Sequence, residues 1–339
     1  MPSLELLFLS AEDVAELDLA AAEVIEAVAA GLHAHGTGQV VLPPKDHLDL
    51  EQQHRGHFNI LKGYLAPIDV AGVKVIGDYV DNHLHDLPSE LALLTLYEAR
   101  TGVPRAIVDA TELTWMRTGA VTAIGARYLA RRNSTVLAHI GARGTARCNV
   151  AYLDSLFELA EIRVTSRRAE SRQRFAQEMA GAVTAPIRVT DSVEEAVRGA
   201  DIVVDATRLS REQVLIPNDW ISPGALVIPY GAVRSTDPTL PIVADKFVVD
   251  DWRQAAGSPF GQYSTAIADG ILRRDHVHAE IGEIVAGRRP GRESDHELIV
   301  FWHRGFAISD IALGVLAVDR ARERGLGTTL VYSGRARER

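Results

Sequence analysis

The hydrophobic pattern of the chain changes period once, close to Asn133. Ahead of that point "LELLFL" reads as a short strand. The stretch "DLAAAEVIEAVAAGLHAHGTG" repeats its apolar residues at helical spacing and stops at Gly36 or Gly38. Four β-rich runs of strand length follow: "HFNILKGYL", "VAGVKVIGDYV", "LALLTLYEA" and "VPRAIVDA". They are separated by turn residues, Pro67 with Asp69, Asn82 to Pro88, and Thr101 with Gly102, and so predict a mostly antiparallel sheet faced by one helix. "TELTWMRTGAVTAIGARYLARR" then fits a helix with Asp109 or Thr111 as cap. Its apolar residues Leu113, Met116, Ala120, Ile124 and Leu129 fall close to a 3.6-residue period.

Past Asn133, strand-like and helix-like runs alternate: "TVLAHIG", "RCNVAYLDSLFELA", "EIRVTS", "AESRQRFAQEMA", "IRVT", "SVEEAVRGA", "DIVVDAT", "ALVIPYGA" and "KFVVDD". Such alternation predicts a parallel sheet covered by helices on both faces. "FAISDIALGVLAVDRARERG" returns to helical spacing and is expected to pack back on the first domain, with "SGRARER" as a frayed, solvated tail. The expected fold is α/β: a doubly wound parallel sheet at residues 126–304, inserted in an α+β domain made of residues 1–125 and 305–335.

Composition narrows the function classes. The chain has 339 residues, 47% of them hydrophobic and 24% charged, which suits two globular domains rather than a disordered or fibrous chain. A formal net charge of -9 argues against a partner held by phosphate neutralisation, so no nucleic acid is expected. Cys148 is the single cysteine, which excludes an internal disulfide and a cysteine-based zinc site and fits a cytoplasmic setting. Acidic residues begin at Glu5 and no run of eighteen apolar residues occurs, so neither a signal peptide nor a membrane span is expected. The histidine-rich runs "HLDLEQQHRGHFN" and "NHLHDLP" lack metal-ligand spacing, and no metal is expected.

The candidate chemistry starts at "VLAHIGARGTARCNVAYLDSL". A dinucleotide site needs a strand, a tight glycine turn, a helix N-terminus and a second strand ending near the adenosine ribose. Gly141, Ala142, Gly144, Thr145 and Ala146 supply the turn, and "EIRVTS" the second strand. Arg143 stands where the second glycine usually lets the backbone approach pyrophosphate. Two readings are open: Arg143 swings outward and pairs with a phosphate, or the turn is remodelled and the site weakened. Beyond the second strand no acid is placed to hold a ribose 2′-hydroxyl. Ser166, Arg167 and Arg168 stand there instead, a hydroxyl and two guanidinium groups suited to a 2′-phosphate, so NADP is expected ahead of NAD.

These segments together resemble the ornithine cyclodeaminase and mu-crystallin family, over nearly the whole length. The resemblance rests on "GVKVIGDYVDN", "LYEARTGVPRAIVDATELTWMRTGAVTAIGARYLA", "IGARGTA", "DIVVDAT", "ALVIPYGA", "AEIGEIVAGRRPGR" and "FWHRGFAISD". It implies a Rossmann-type NAD(P) domain inserted in a substrate and dimerisation domain, hence a homodimer, and adds Thr207 to the expected cofactor contacts. By the resemblance, Lys74 and Arg117 meet the substrate, and Lys45 falls near a basic position that helps bind carboxylate. Taken singly, Lys74 could be a solvated strand lysine and Arg117 a surface helix residue. Their chemistry is apt: a planar guanidinium matches an α-carboxylate, and a buried lysine can exchange a proton at a carbon–nitrogen centre.

Two departures bear on substrate. Val233 stands where amino-acid-processing relatives carry an aspartate that engages the substrate amine. Trp302, His303 and Arg304 precede Gly305 where a small polar residue is usual, which puts His303 and Arg304 among the expected substrate contacts. Loss of the aspartate favours reduction of a preformed imine. The expectation is an NAD(P)H-dependent enzyme reducing the C=N bond of a small, cyclic imino acid. The alternatives are an ornithine or lysine cyclodeaminase, an alanine-type dehydrogenase, and a non-catalytic small-molecule-binding relative. Asp310 is read as structural.

Overall fold

A computed structural model describes residues 4–257 and 260–332. The chain divides into two compact units, Met1–Arg117 with Phe306–Arg339, and Thr118–Gly305. The first division falls inside the helix Thr111–Leu129, where no break in periodicity marks it, and not at 125/126. The "SGRARER" tail lies outside the described residues.

In the first unit, strands β1 (Leu4–Leu9), β2 (Val40–Val41), β3 (Asp46–Asp49), β4 (Gly56–Leu65), β5 (Val70–Tyr79), β6 (Glu90–Glu98) and β7 (Pro104–Asp109) join one sheet with Thr328–Tyr332. β4 to β7 run antiparallel in chain order, while β1 pairs parallel with β7 and antiparallel with Thr328–Tyr332. Side chains alternate between faces along each strand, so the register decides what is buried. Leu61, Lys74 and Leu94 lie side by side across β4, β5 and β6 and are all buried. A lysine thus occupies a core position between two leucines.

That face is covered by the helix Ala307–Arg324, which packs on the helix Ala21–Gly36 and on β4, β5 and β6. Close approach depends on two glycines. A Cβ at Gly72 would come within 2.7 Å of Ile311, and one at Gly314 within 2.3 Å of Leu94. The covering helix ends at Gly325, whose φ of 67° is the left-handed conformation that lets the chain turn away from the helix.

The second unit holds eight described strands: β8 (Val136–Ile140), β9 (Glu161–Thr165), β10 (Ile187–Val189), β11 (Ile202–Asp205), β12 (Leu226–Pro229), β13 (Lys246–Val249), β14 (Ala279–Glu280) and β15 (Ile299–Trp302). Every pairing is parallel, in the order β10-β9-β8-β11-β12-β15-β13-β14. β15, fully buried between β12 and β13, is absent from the expected strands. The strand order reverses at the β8/β11 junction, the switch point where ligands of doubly wound sheets bind. Among the described residues no helix is long and apolar enough to cross a membrane.

Candidate active site

Two constellations of side chains stand out, one in each unit. In the first, Lys74 on β5, Thr114 and Arg117 on the helix Thr111–Leu129, and Asp310 on the covering helix converge. Lys74 Nζ donates to Asp310 Oδ1 at 2.6 Å and to Thr114 Oγ1 at 3.1 Å, and Arg117 Nε donates to the same Asp310 oxygen at 3.0 Å. Thr114 and Arg117 are three residues apart and therefore share a helix face. Lys74 is 1% exposed, Asp310 5% and Arg117 8%, so the solvated-lysine and surface-arginine readings do not hold.

Burial lowers the Lys74 pKa to about 8, the Arg117 charge pushes the same way, and Asp310 opposes both. Glu90, at the head of β6, is held above the usual carboxylate range by burial, against the pull of Arg117 and Lys74. Asp310 Oδ2 is buried without a hydrogen-bond partner among the described residues. Arg117 commits only its Nε, leaving the two-pronged end of its guanidinium without a protein acceptor among the described residues. Two cations against one aspartate leave a buried surplus of positive charge, which suits a carboxylate ligand.

Asp310 is the hub of this cluster, not only the structural residue the sequence suggests. Lys45 lies half-buried just before Asp46, which pairs with Ile60 on β4; the next β4 residue, Leu61, pairs with Lys74.

The second constellation surrounds the glycine turn. Gly141 has φ 109° and Gly144 has φ 56°, and a Cβ on Gly141 would lie 2.9 Å from the Ala206 carbonyl. The β8/β11 junction therefore accepts only glycine at this point. Ala142 is half-buried, Ala146 is fully buried, and Thr145 sits at the N-cap of the helix Ala146–Asp154 without making a capping bond. Arg143 is exposed, and with Arg168, Arg174 and Glu170 it lines a hollow of about 460 Å³. The Ser166 hydroxyl donates to the Arg168 carbonyl at 3.1 Å, Arg167 is exposed, and the Thr207 N–H donates to Asp205 Oδ1 at 3.0 Å.

The remaining expected contacts also fall in the second unit. Val233 is half-buried, and its carbonyl accepts from Gln262 Nε2 at 3.0 Å. His303 is buried, with Nε2 3.0 Å from Thr122 Oγ1 and its ring against Tyr230 and Phe301. The Arg304 guanidinium donates to the Phe260 carbonyl and lies over the Trp302 ring, and burial brings its pKa down to about 10. It is partly spent within the protein, and only the remainder of its fork is available to a ligand.

The model of the ornithine cyclodeaminase/mu-crystallin family matches residues 5–325. The chain belongs to this family. It is 31% identical over 334 residues to the alanine dehydrogenase of Archaeoglobus fulgidus, covering 97% of this chain and 99% of that one. Among solved structures, an archaeal alanine dehydrogenase dimer with bound NAD superimposes with a TM-score of 0.89 at 30% identity, covering 97% of this chain and 100% of the other. The Δ1-pyrroline-2-carboxylate reductase of Thermococcus litoralis, in complex with NADH and L-proline, gives 0.88 at 29% identity, over 95% of this chain and 99% of that one.

Sequence reasoning missed Thr114, Glu90, Tyr230 and the hub role of Asp310. The one available signal was spacing: Thr114 precedes Arg117 by a helical turn, and Asp310 precedes Gly314 by another.

Proposed function

We propose that this protein is a nicotinamide-dependent oxidoreductase that reduces the C=N bond of a small, cyclic imino acid. The observation that carries it is the buried Lys74–Asp310–Arg117 cluster, with an unspent guanidinium fork beside a lysine whose pKa is near 8. Membership of a family whose relatives include an imino-acid reductase with bound NADH supports the same reading.

The second unit fits a dinucleotide: Gly141 forms a cradle that a Cβ would fill, at the switch point of a parallel sheet. The bound cofactor supplies the hydride. Arg117 then grips the substrate carboxylate in two-pronged fashion, with Lys45 as a second cation. Lys74, protonated, delivers a proton to the imine nitrogen, and Asp310 holds it in line through a single oxygen. The free Oδ2 of Asp310 accepts an N–H of the iminium, a role that Val233 cannot fill. The product is the saturated amino acid.

The finer cofactor choice is NADP. Arg143 and Arg168 border one hollow beyond the β9 end, where a 2′-phosphate could bridge them, with Ser166 and Arg167 adjacent in sequence. We further infer a homodimer. The outer face of the first unit's sheet exposes Leu48, Val75, Leu91 and Leu93, and Val75 pairs with Leu93.

A second reading, an alanine-type dehydrogenase, draws on the 31% identity to the Archaeoglobus enzyme. One experiment separates these. NADPH and NADH are titrated by fluorescence, and coenzyme oxidation is then followed with Δ1-pyrroline-2-carboxylate, with Δ1-piperideine-2-carboxylate, and with pyruvate plus ammonium. Preference for NADPH and turnover of a cyclic imine are expected. Turnover of pyruvate alone selects the second reading, and binding of neither coenzyme removes both.

A further inference from the structure

A chain of four side chains crosses the second unit directly behind the glycine turn, and its hydrogen-bond directions can be assigned one after another. His139, on β8 and fully buried, places Nδ1 2.8 Å from the Gly141 carbonyl and Nε2 3.0 Å from Asn149 Nδ2. A carbonyl can only accept, so Nδ1 carries the proton. Burial holds the His139 pKa down at about 4, so the ring is neutral and Nε2 must accept. Asn149 therefore presents its amide nitrogen to the histidine. Its second N–H reaches the Tyr230 hydroxyl at 2.6 Å. The Tyr230 oxygen thus accepts, and the Thr145 hydroxyl, 2.5 Å away, is the acceptor within reach for its own hydrogen among the described residues.

The cost of this arrangement is visible. Asn149 Oδ1 is buried without a partner, a penalty of roughly 1–3 kcal/mol for an orphaned acceptor. A flipped amide would satisfy that oxygen at Tyr230 but set it against the lone pair of His139 Nε2. At the far end, Thr145 occupies the N-cap of the helix Ala146–Asp154, yet its hydroxyl makes no capping bond. With Tyr230 donating into it, that hydroxyl has one hydrogen left to give, at a helix N-terminus.

We infer that His139, Asn149 and Tyr230 form a one-way hydrogen-bond relay that fixes the Thr145 hydroxyl as a donor to a diphosphate oxygen, making Tyr230 a positioning residue for the cofactor. The inference rests on the dinucleotide reading of the turn. Tyr230 also lies against the His303 ring, centroids 4.8 Å apart, and Tyr230→Phe keeps that packing while removing the hydroxyl.

The test measures calorimetric binding of ADP-ribose, which carries the diphosphate, and of 2′-AMP, which does not. Tyr230→Phe and Thr145→Val are each expected to weaken ADP-ribose about tenfold. The double variant should be no weaker than Thr145→Val alone, Thr145→Ser should bind like the parent, and 2′-AMP should bind equally to all. Nitrogen chemical shifts of His139 should report the Nδ1–H tautomer. Additive losses, parent-like binding by Tyr230→Phe, an equal loss of 2′-AMP, or the Nε2–H tautomer overturns the relay. If Tyr230→Phe does not fold, equal binding by Thr145→Ser and Thr145→Val overturns it as well. A parent protein that binds neither ADP-ribose nor a nicotinamide coenzyme fails the dinucleotide reading itself, a distinguishable result.

Discussion

Lys74 keeps its charge where water scarcely reaches, between Leu61 and Leu94 on the covered face of a sheet. Desolvation and the Arg117 charge both favour the neutral amine, while Asp310 favours the ammonium, and the balance near pH 8 poises the group for proton exchange. The sign is set by direction. Imine reduction consumes the proton, so kcat/KM should be level below about pH 8 and fall up to tenfold per pH unit above it; the oxidative direction should rise through the same range. Lys74→Arg keeps a cation that does not titrate there and should abolish this limb, at a rate at least about tenfold lower, equivalent to about 1.4 kcal/mol. A limb that persists near pH 8 in that variant belongs to another group. Arg117→Lys should act differently, raising KM for the imino acid with little change in the dissociation constant of NADPH, because a point charge replaces a fork on the substrate carboxylate.

The helix Thr111–Leu129 presents glycines where neighbouring elements come closest. A Cβ on Gly119 would lie 2.6 Å from Cys148 Cβ, and one on Gly125 would lie 2.3 Å from the Phe301 ring. Helix propensity favours Gly125→Ala by about 1 kcal/mol, whereas overpacking against a fully buried phenylalanine costs about 1–3 kcal/mol. Net destabilisation is expected, seen as a lower urea midpoint at unchanged m-value; a higher midpoint would mean that the ring moves aside freely. Period and turn chemistry made most elements readable: β4 to β7, the long helix, and β8 with its turn all lie within a residue or a few of their expected bounds. β15 was not, because "IVFW" is a four-residue apolar run flanked by pocket-like residues, and nothing local distinguishes a buried strand from a loop lining. The site was legible as residue types and not as partnerships. Asp310 meets Lys74 across 236 positions, and Tyr230 meets Asn149 across 81, contacts that only the sheet order and the covering helix create.

At the level of the whole molecule, charge and apolar surface oppose each other. Two copies of a chain with net charge -9 repel, so an association between them must rest on surface that carries no charge. The outer face of the first unit's sheet offers it. Leu93 is 50% exposed opposite Val75 at 39%, while Leu91 lies opposite Gly77, which pairs in turn with Phe58 and, through it, Leu48. Each such side chain, fully covered, contributes roughly 1.5–3 kcal/mol, enough over several residues on both copies to outweigh a screened repulsion. Sedimentation equilibrium should therefore show twice the chain mass, with tighter association as salt rises, and Val75→Lys with Leu93→Lys should give a monomer. Because the cofactor contacts assigned above all come from the second unit, the monomeric variant should retain the parent's NADPH affinity. A double variant that remains dimeric would move the interface off this sheet. Loss of NADPH binding in a folded monomer would show that the turn needs a second copy to complete it.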